Sequence, residues 1–273
     1  MALRRTTKSK LYRYTVYAVL IAVAVWLIVS TDWARIAQLY FNPEIAAKML
    51  PGIITTALVN TLWFTAVAFA GGLLLGVVLA LLKLSSIGPF RWIATAWIEL
   101  FRGLPAILTI FAIAFILPIG LGVPGTKLGG PVVLGLIGLI LVASAYMAET
   151  IRAGIQAVPK GQTEAARSLG MSPMKTTFWI VVPQGFRIII PPLTSETMNI
   201  FKNSSVAFAV SVTELTMFAM QAQEETSRGI EVYLAVTACY VVSALAINRL
   251  MAFIEKKTRV PGFIVSASGG GGH

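Results

Sequence analysis

At 273 residues, 57% of them apolar and 12% charged, the chain carries about half the charge of a soluble globular domain. Its formal net charge of +11 is gathered beside apolar runs, which argues for membrane flanks and against a nucleic-acid partner. One cysteine (Cys239), one histidine (His273) and one aspartate (Asp32) leave no zinc ligand set, no Ser-His dyad and no aspartate pair, and no G-x-x-x-x-G-K-[ST] phosphate loop occurs. The sequence therefore implies no catalytic residue, no metal and no cofactor.

The expected fold is an all-α integral membrane protein with six transmembrane helices. Apolar runs cover about Leu11–Val29, Gly52–Leu82, Trp92–Leu117, Pro131–Met147, Phe186–Ala209 and Ile230–Phe253. Each approaches or exceeds the roughly 20 residues that cross about 30 Å of hydrocarbon. The second is long for one perpendicular crossing, so it is expected to tilt or to begin with an interfacial turn around Gly52–Asn60. The N-terminal run has a basic lead but lacks a small-x-small cleavage pattern, so it is not expected to be a cleavable leader. Residues 1–50 form a basic N-terminus, first span and external loop; 51–254 form the remaining membrane domain, with a polar loop at 150–185. Residues 255–273 form a tail that ends in the low-complexity run "SGGGGH".

Orientation follows from basic residues. Arg4, Arg5, Lys8, Lys10, Arg13, Lys83, Arg91, Arg152, Lys160, Arg167, Lys175, Arg187, Arg249, Lys256, Lys257 and Arg259 fall on one side. The other side keeps only Arg35, Lys48, Lys127 and Arg228, with Asp32, Glu44, Glu214, Glu224, Glu225 and Glu231. Both termini are expected in the cytoplasm.

The loop "GQTEAARSLGMSPMKTTFWIVVPQG" is the longest polar stretch. Gln162–Leu169 is a good helix former, with Gly170 as its stop and Ser172-Pro173 restarting a second helix that Pro183 ends. Ala165, Ala166 and Leu169 make a small apolar face. Periodicity alone leaves a plain connector and a docking element equally open.

Within the spans, Glu196, Asn199 and Asn203 lie at i, i+3 and i+7, on one helical face. Lys202, Ser204 and Ser205 lie beside them. Pro191-Pro192 is expected to break this span, and a broken helix is a common substrate site. One reading is a wet face lining a transport path; the other is that Glu196 pairs with Lys202 or with a neighbouring chain only to hold the bundle together. Asn60 and Thr61 are weaker path candidates, since single polar residues often only bridge helices. Glu99 and Arg102 are spaced to pair on one face, as are Glu149 and Arg152.

Glu164-Ala165-Ala166, then Gly170, Ile180 and Pro183 at fixed offsets, resembles the E-A-A-x3-G-x9-I-x-L-P loop of ABC-importer permeases, with Val182 in place of Leu. "IELFRGLPAILTIF" resembles the E-x-F-R-G-x-P stretch of the polar amino-acid permeases. "AYMAETIRAGIQAVPKGQTEAA" resembles their A-E-x-x-R-G segment, with Ala153 for Gly. "PQGFRIIIPPLTSETMNIFKNSS" resembles their P-Q-x-x-R-x-x-x-P-P segment. Together these cover about Gly52–Phe253, and the first span looks like an addition to a five-helix core.

The resemblance implies that residues Glu164, Ala165, Ala166, Gly170, Ile180 and Pro183 couple the chain to an ABC ATPase subunit pair in the cytoplasm. It also implies a second permease subunit, an extracytoplasmic solute-binding protein and surrounding membrane lipid as partners. Asn60, Thr61, Arg102, Glu196, Asn199, Lys202, Asn203 and Ser205 are then candidates for the substrate path. The cargo expected is a polar amino acid, with a lean towards glutamate or aspartate. The chain itself is expected to be no enzyme. The alternative is a self-sufficient ion-coupled carrier, which would call for internal inverted repeats.

Overall fold

The close approach of helices at glycine organises this structure, a computed structural model that describes residues 3–40, 43–227 and 229–258. Residues 1–2, 41–42 and Arg228, and the tail from Arg259 through the "SGGGGH" run, lie outside the described residues. Every regular element among the described residues is helical, with no strand. The chain divides into two units, Met1–Lys48 and Met49–His273.

In the first unit α1 (Leu3–Ser30) is followed by α2 (Trp33–Tyr40). The turn between them is held locally. The Asp32 carboxylate accepts from the Arg35 backbone N–H at 2.9 Å, and the Trp33 indole donates to the Ile28 carbonyl at 2.7 Å. From Tyr12 to Ser30 every side chain of α1 is exposed, as an apolar helix meant for lipid would be. Helix α3 (Pro43–Gly52) crosses the boundary between the units.

In the second unit α3 passes through a π-helical turn at Ile53–Leu58 into α4 (Val59–Leu84), giving an unbroken Ala47–Leu84 segment of 38 residues. Pro51 lacks the donor that a regular turn needs there, and the wider turn follows it directly. This is the irregular start that the length of the second apolar run calls for.

The third apolar run departs from expectation. Instead of one span over Trp92–Leu117, α5 (Gly88–Gly103) is followed by α6 (Ala106–Phe111) and α7 (Leu117–Gly120) at an angle of 111°. Leu104 precedes Pro105, and the proline ring disfavours helical backbone in the residue before it. Both residues are extended, with ψ of 140° and 137°.

Helix α8 (Gly130–Gln156) is the most enclosed of the long helices, with 61% of its most apolar window buried. It packs on α4, α5, α6 and α11. Phe64 and Ala68, Ile110 and Ala114, Leu139, Ala143 and Met147, and Ile189 and Ile200 form one core around it. The hairpin α9 (Lys160–Ser168) and α10 (Pro173–Thr176) follows.

A π-helical turn at Thr177–Val181 leads into α11 (Val182–Asn203), which continues as a 3-10 segment to Val210. Two expectations fail here. Pro183 does not end the helix, because it sits in the first turn of α11, where a missing N–H costs little. Pro191 and Pro192 do not break it either, and α11 runs through both. The break lies later, at Ser211–Glu214, where Ser211 takes the left-handed conformation (φ 62°) and the chain turns by 47° into α12 (Leu215–Thr226). Helix α13 (Gly229–Thr258) closes the described chain. Among the described residues four helices are long and apolar enough to cross a membrane, or up to six if each bent pair is one span.

Glycines decide how near α8 comes to its neighbours. A Cβ on Gly72 would stand 2.6 Å from the Ala143 Cβ, and one on Gly76 would stand 2.9 Å from the Met147 Cβ. The two are four residues apart, the small-xxx-small spacing that lets membrane helices touch backbone to backbone. On the other side a Cβ on Gly154 would fall 2.0 Å from Ile189 Cγ2, against α11. Overpacking a tight interior costs about 1–3 kcal/mol or more. Gly76→Leu and Gly154→Val are accordingly expected to lower the melting temperature of the detergent-purified protein by several degrees, while Gly88→Ala, which meets nothing, should leave it unchanged.

Candidate functional site

The α9–α10 hairpin is the first of two candidate sites. Pro159 precedes α9, and the helix is closed by a paired C-terminal cap. The Gly170 N–H donates to the Arg167 carbonyl at 3.0 Å and the Met171 N–H to the Ala166 carbonyl at 3.1 Å. Gly170 has φ +83°, a conformation that costs other L residues about 1–2 kcal/mol. Ser172 caps the next helix, its hydroxyl accepting from the Lys175 N–H. The hairpin therefore has a fixed shape that does not depend on a partner.

The alanine face divides. Ala166 is buried against the chain itself, while Ala165 and Glu164 are exposed and Leu169 is 85% exposed. Ile180 is half-buried, and Pro183 is exposed at the start of α11. The outward apolar surface of the loop is thus built from Ala165, Leu169 and Met174, with Phe178 and Trp179 exposed further on.

The second site is a polar face shared by α8 and α11. Glu196, Asn199 and Asn203 line a cavity of about 280 Å³, closed on the α8 side by Leu139, Val142, Ala143 and Tyr146. The Asn199 amide lies 3.5 Å from the Glu196 carboxylate. The alternative Glu196–Lys202 ion pair is not formed. Lys202 points outward and gives its backbone carbonyl to the Ser205 hydroxyl at 2.7 Å.

A second cavity, of about 450 Å³, is also lined by Tyr146, together with Lys83, Ile98, Glu99, Arg102, Gly103 and Glu149. The Glu149 carboxylate is shared between Lys83 and Arg152, whose Nη2 and Nε stand 2.7 and 3.1 Å away. Glu149 and Arg152 pair as their spacing suggests, and Lys83 ties them to α4. Glu99 and Arg102 do not pair. Arg102 lies 5.4 Å from the centre of the Tyr146 ring, a cation–π contact worth about 0.5–1 kcal/mol at an exposed site.

Asn60 and Thr61 face neither cavity. The Asn60 amide donates to the Thr213 carbonyl at 2.8 Å, and the Thr61 hydroxyl accepts from the Leu215 N–H at 3.2 Å. They pin the Ser211–Glu214 break to α4. Glu214, which composition marks only as an external acidic residue, is fully buried and does the same from the other side. Its carboxylate accepts from the Thr216 and Met217 N–H groups at 2.8 Å and from the Tyr240 hydroxyl at 3.0 Å. No spacing rule points to it, since glutamate is not a favoured helix cap. Tyr146 was equally hidden, as one aromatic among many in an apolar helix.

Gly170→Val is expected to strain the α9 cap by about 1–2 kcal/mol. Amide hydrogen exchange should accelerate over residues 164–171 and stay unchanged in α8, because no atom stands within 4 Å of a Cβ at this position.

The model of the family described as binding-protein-dependent transport system inner membrane components matches residues 72–260. The probable glutamine ABC transporter permease protein GlnM of Bacillus subtilis is 35% identical over 199 residues, which is 72% of this chain and 89% of that protein. The arginine transport system permease protein ArtQ of the same organism is 34% identical, covering 76% and 92%. The glutamate/aspartate import permease protein GltK of Escherichia coli is 30% identical, covering 74% and 91%. Among solved structures, an amino acid ABC transporter with histidines superposes with a TM-score of 0.70 at 34% identity, covering 78% of this chain and 96% of that one. The inward-facing MetNI methionine ABC transporter superposes with a TM-score of 0.67 at 18% identity, a likeness of fold. With most of its second unit matched in sequence and in structure, the chain belongs to the family of binding-protein-dependent inner membrane transport components, as an amino-acid ABC permease subunit.

Proposed function

We propose that the chain forms the translocation path of an ATP-driven importer of polar amino acids, through the Glu196–Asn199–Asn203 face, and that its α9–α10 hairpin docks on a separate ATPase. What supports this most is the pre-shaped hairpin, which holds the Glu164-Ala165-Ala166 pattern outward on a glycine-capped helix. A connector would need neither the cap nor an exposed leucine. On this reading Glu164, Ala165 and Gly170 form the contact, Ala166 roots it in the chain, and Ile180 and Pro183 set the path from hairpin to α11. The chain works beside a second permease subunit, with an ATPase pair in the cytoplasm, a solute-binding protein outside and lipid around it. Both its termini are cytoplasmic.

Relatives named for glutamine, arginine and glutamate/aspartate support a polar amino acid as the cargo. The lean towards glutamate or aspartate draws on the added first span, which resembles that of glutamate-type permeases, and on Arg102 and Lys202, which would receive an acidic group. Glu196 serves the ammonium that all amino acids carry. Asn60 and Thr61 keep a structural part, holding the α12 turn. Lys202 and Ser205 lie at the rim of the path.

The test is reconstitution with the ATPase and the binding protein. Glu196→Gln should lower ATP-driven uptake about tenfold while the subunits still co-purify. Ala165→Trp should abolish binding-protein-stimulated ATP hydrolysis with the membrane domain intact, since the side chain it replaces faces outward. Wild-type coupling in both would refute the assignment. Competition with glutamate, aspartate, glutamine, arginine and histidine then ranks the cargo.

Orientation has its own check. In a Cys239→Ala background, a cysteine at Thr226 should react with an impermeant maleimide added outside, and one at Thr258 should not. Labelling of Thr258 from outside would invert the proposed topology.

A further inference from the structure

Tyr146 lines both cavities, the first together with Glu196, Asn199 and Asn203 and the second together with Glu99, Arg102 and Glu149. Its backbone is held by α8, whose neighbouring residues Ala145 and Met147 are fully buried. Its side chain is half-buried and makes no protein hydrogen bond among the described residues, so the Arg102 guanidinium at 5.4 Å is its one polar neighbour with a recorded contact. Arg102 in turn stands at the last turn of α5, just before the extended Leu104-Pro105 break, and has no carboxylate within ion-pair distance.

Glu99, three residues earlier on the same helix and lining the same cavity, is exposed and likewise unpaired, although i,i+3 is a spacing at which the two can meet. One arginine therefore has two available seats, the Tyr146 ring that it occupies and the Glu99 carboxylate that it leaves vacant. Of the other nearby carboxylates, Glu196 is within electrostatic reach of Arg102 and lies 3.5 Å from the Asn199 amide. Glu149 is already shared by Lys83 and Arg152.

We propose that Arg102 and Tyr146 form a latch across the permeation path, in which the ring closes the neck between the two cavities while Arg102 rests on it, and the neck opens when Arg102 moves to Glu99. This rests on the reading that the Glu196 face is the path. The chemistry of an amino acid suits the device. A substrate whose ammonium is held at Glu196 presents its carboxylate towards Arg102, and a charge-assisted hydrogen bond to that carboxylate outcompetes a ring face. The substrate thereby loosens the latch that blocks it, and Glu99 receives the guanidinium as the carboxylate moves on. Tyr146 is a positioning residue here. It needs its ring and not its hydroxyl.

The experiment uses the reconstituted complex with ATPase and binding protein, in proteoliposomes loaded with radiolabelled glutamine, arginine or glutamate. Efflux without ATP measures the closed neck, and ATP-driven uptake measures its opening. Tyr146→Ala should raise ATP-independent efflux about tenfold while binding-protein-stimulated ATP hydrolysis persists, and Tyr146→Phe should behave as wild type in both. Glu99→Gln should slow uptake about fivefold without raising efflux, and should leave the apparent KM unchanged. A tight Tyr146→Ala complex, a leaky Tyr146→Phe complex, or full-rate uptake by Glu99→Gln would each overturn the latch. Should wild-type complex take up none of the amino acids, the permeation reading itself falls, and the latch with it.

Discussion

The structure depends on how closely α8 is allowed to approach α4 and α11. Membrane helices gain little from the hydrophobic effect when they associate, because lipid tails are as apolar as leucine, so contact distance and shape carry the association. Gly72 and Gly76 let α4 lie against the Ala143–Met147 segment of α8, and Gly154 admits Ile189 of α11 on the opposite side. With α8 fixed in this way, Tyr146 and Glu149 on one surface and the Leu139–Ala143 wall on another have no freedom to shift. Both cavities are consequences of that placement.

Polar groups then do what apolar contact cannot, which is to fix direction. The Ser211–Glu214 break frees backbone groups among buried residues, where unsatisfied ones are costly. Asn60, Thr61 and Glu214 satisfy them from two helices, and the buried carboxylate is itself bound to two N–H groups and the Tyr240 hydroxyl. The Lys83–Glu149–Arg152 cluster plays the matching part at the hairpin end. Rigid joints at both ends leave the segment between them, with Arg102 on a weak ring contact, as the part best suited to move.

Much of this was readable in advance, for a physical reason. Span number, the α9–α10 hairpin, the left-handed glycine at 170 and the shared face of Glu196, Asn199 and Asn203 all follow from local rules of period and conformation. The errors came where two local rules competed. Pro191-Pro192 promised a break, yet α11 absorbs both prolines, while the preceding-residue effect at Leu104–Pro105 bent a run that hydropathy alone joins into one span. The alanine pair showed the same limit. Spacing placed Ala165 and Ala166 together, but which of them turns inward is decided by α9's tilt against the chain, a tertiary fact.

Arg102 carries that point to function. Sequence spacing offers it Glu99, and the fold gives it Tyr146 instead. A local ion pair left unmade beside a ring contact makes sense if the two arrangements are close in energy. The cation–π contact at an exposed ring is worth about 0.5–1 kcal/mol, and an exposed i,i+3 ion pair about 0.2–0.5 kcal/mol. A difference of that size is near thermal energy, so a substrate carboxylate or a small shift of α5 is enough to change the occupancy of either seat. The glycine-locked core and the paired charges at Glu149 would sit still through such an exchange. On the proposed function the chain uses both kinds of part, a frame to carry force from the hairpin and a contact light enough to yield to its cargo.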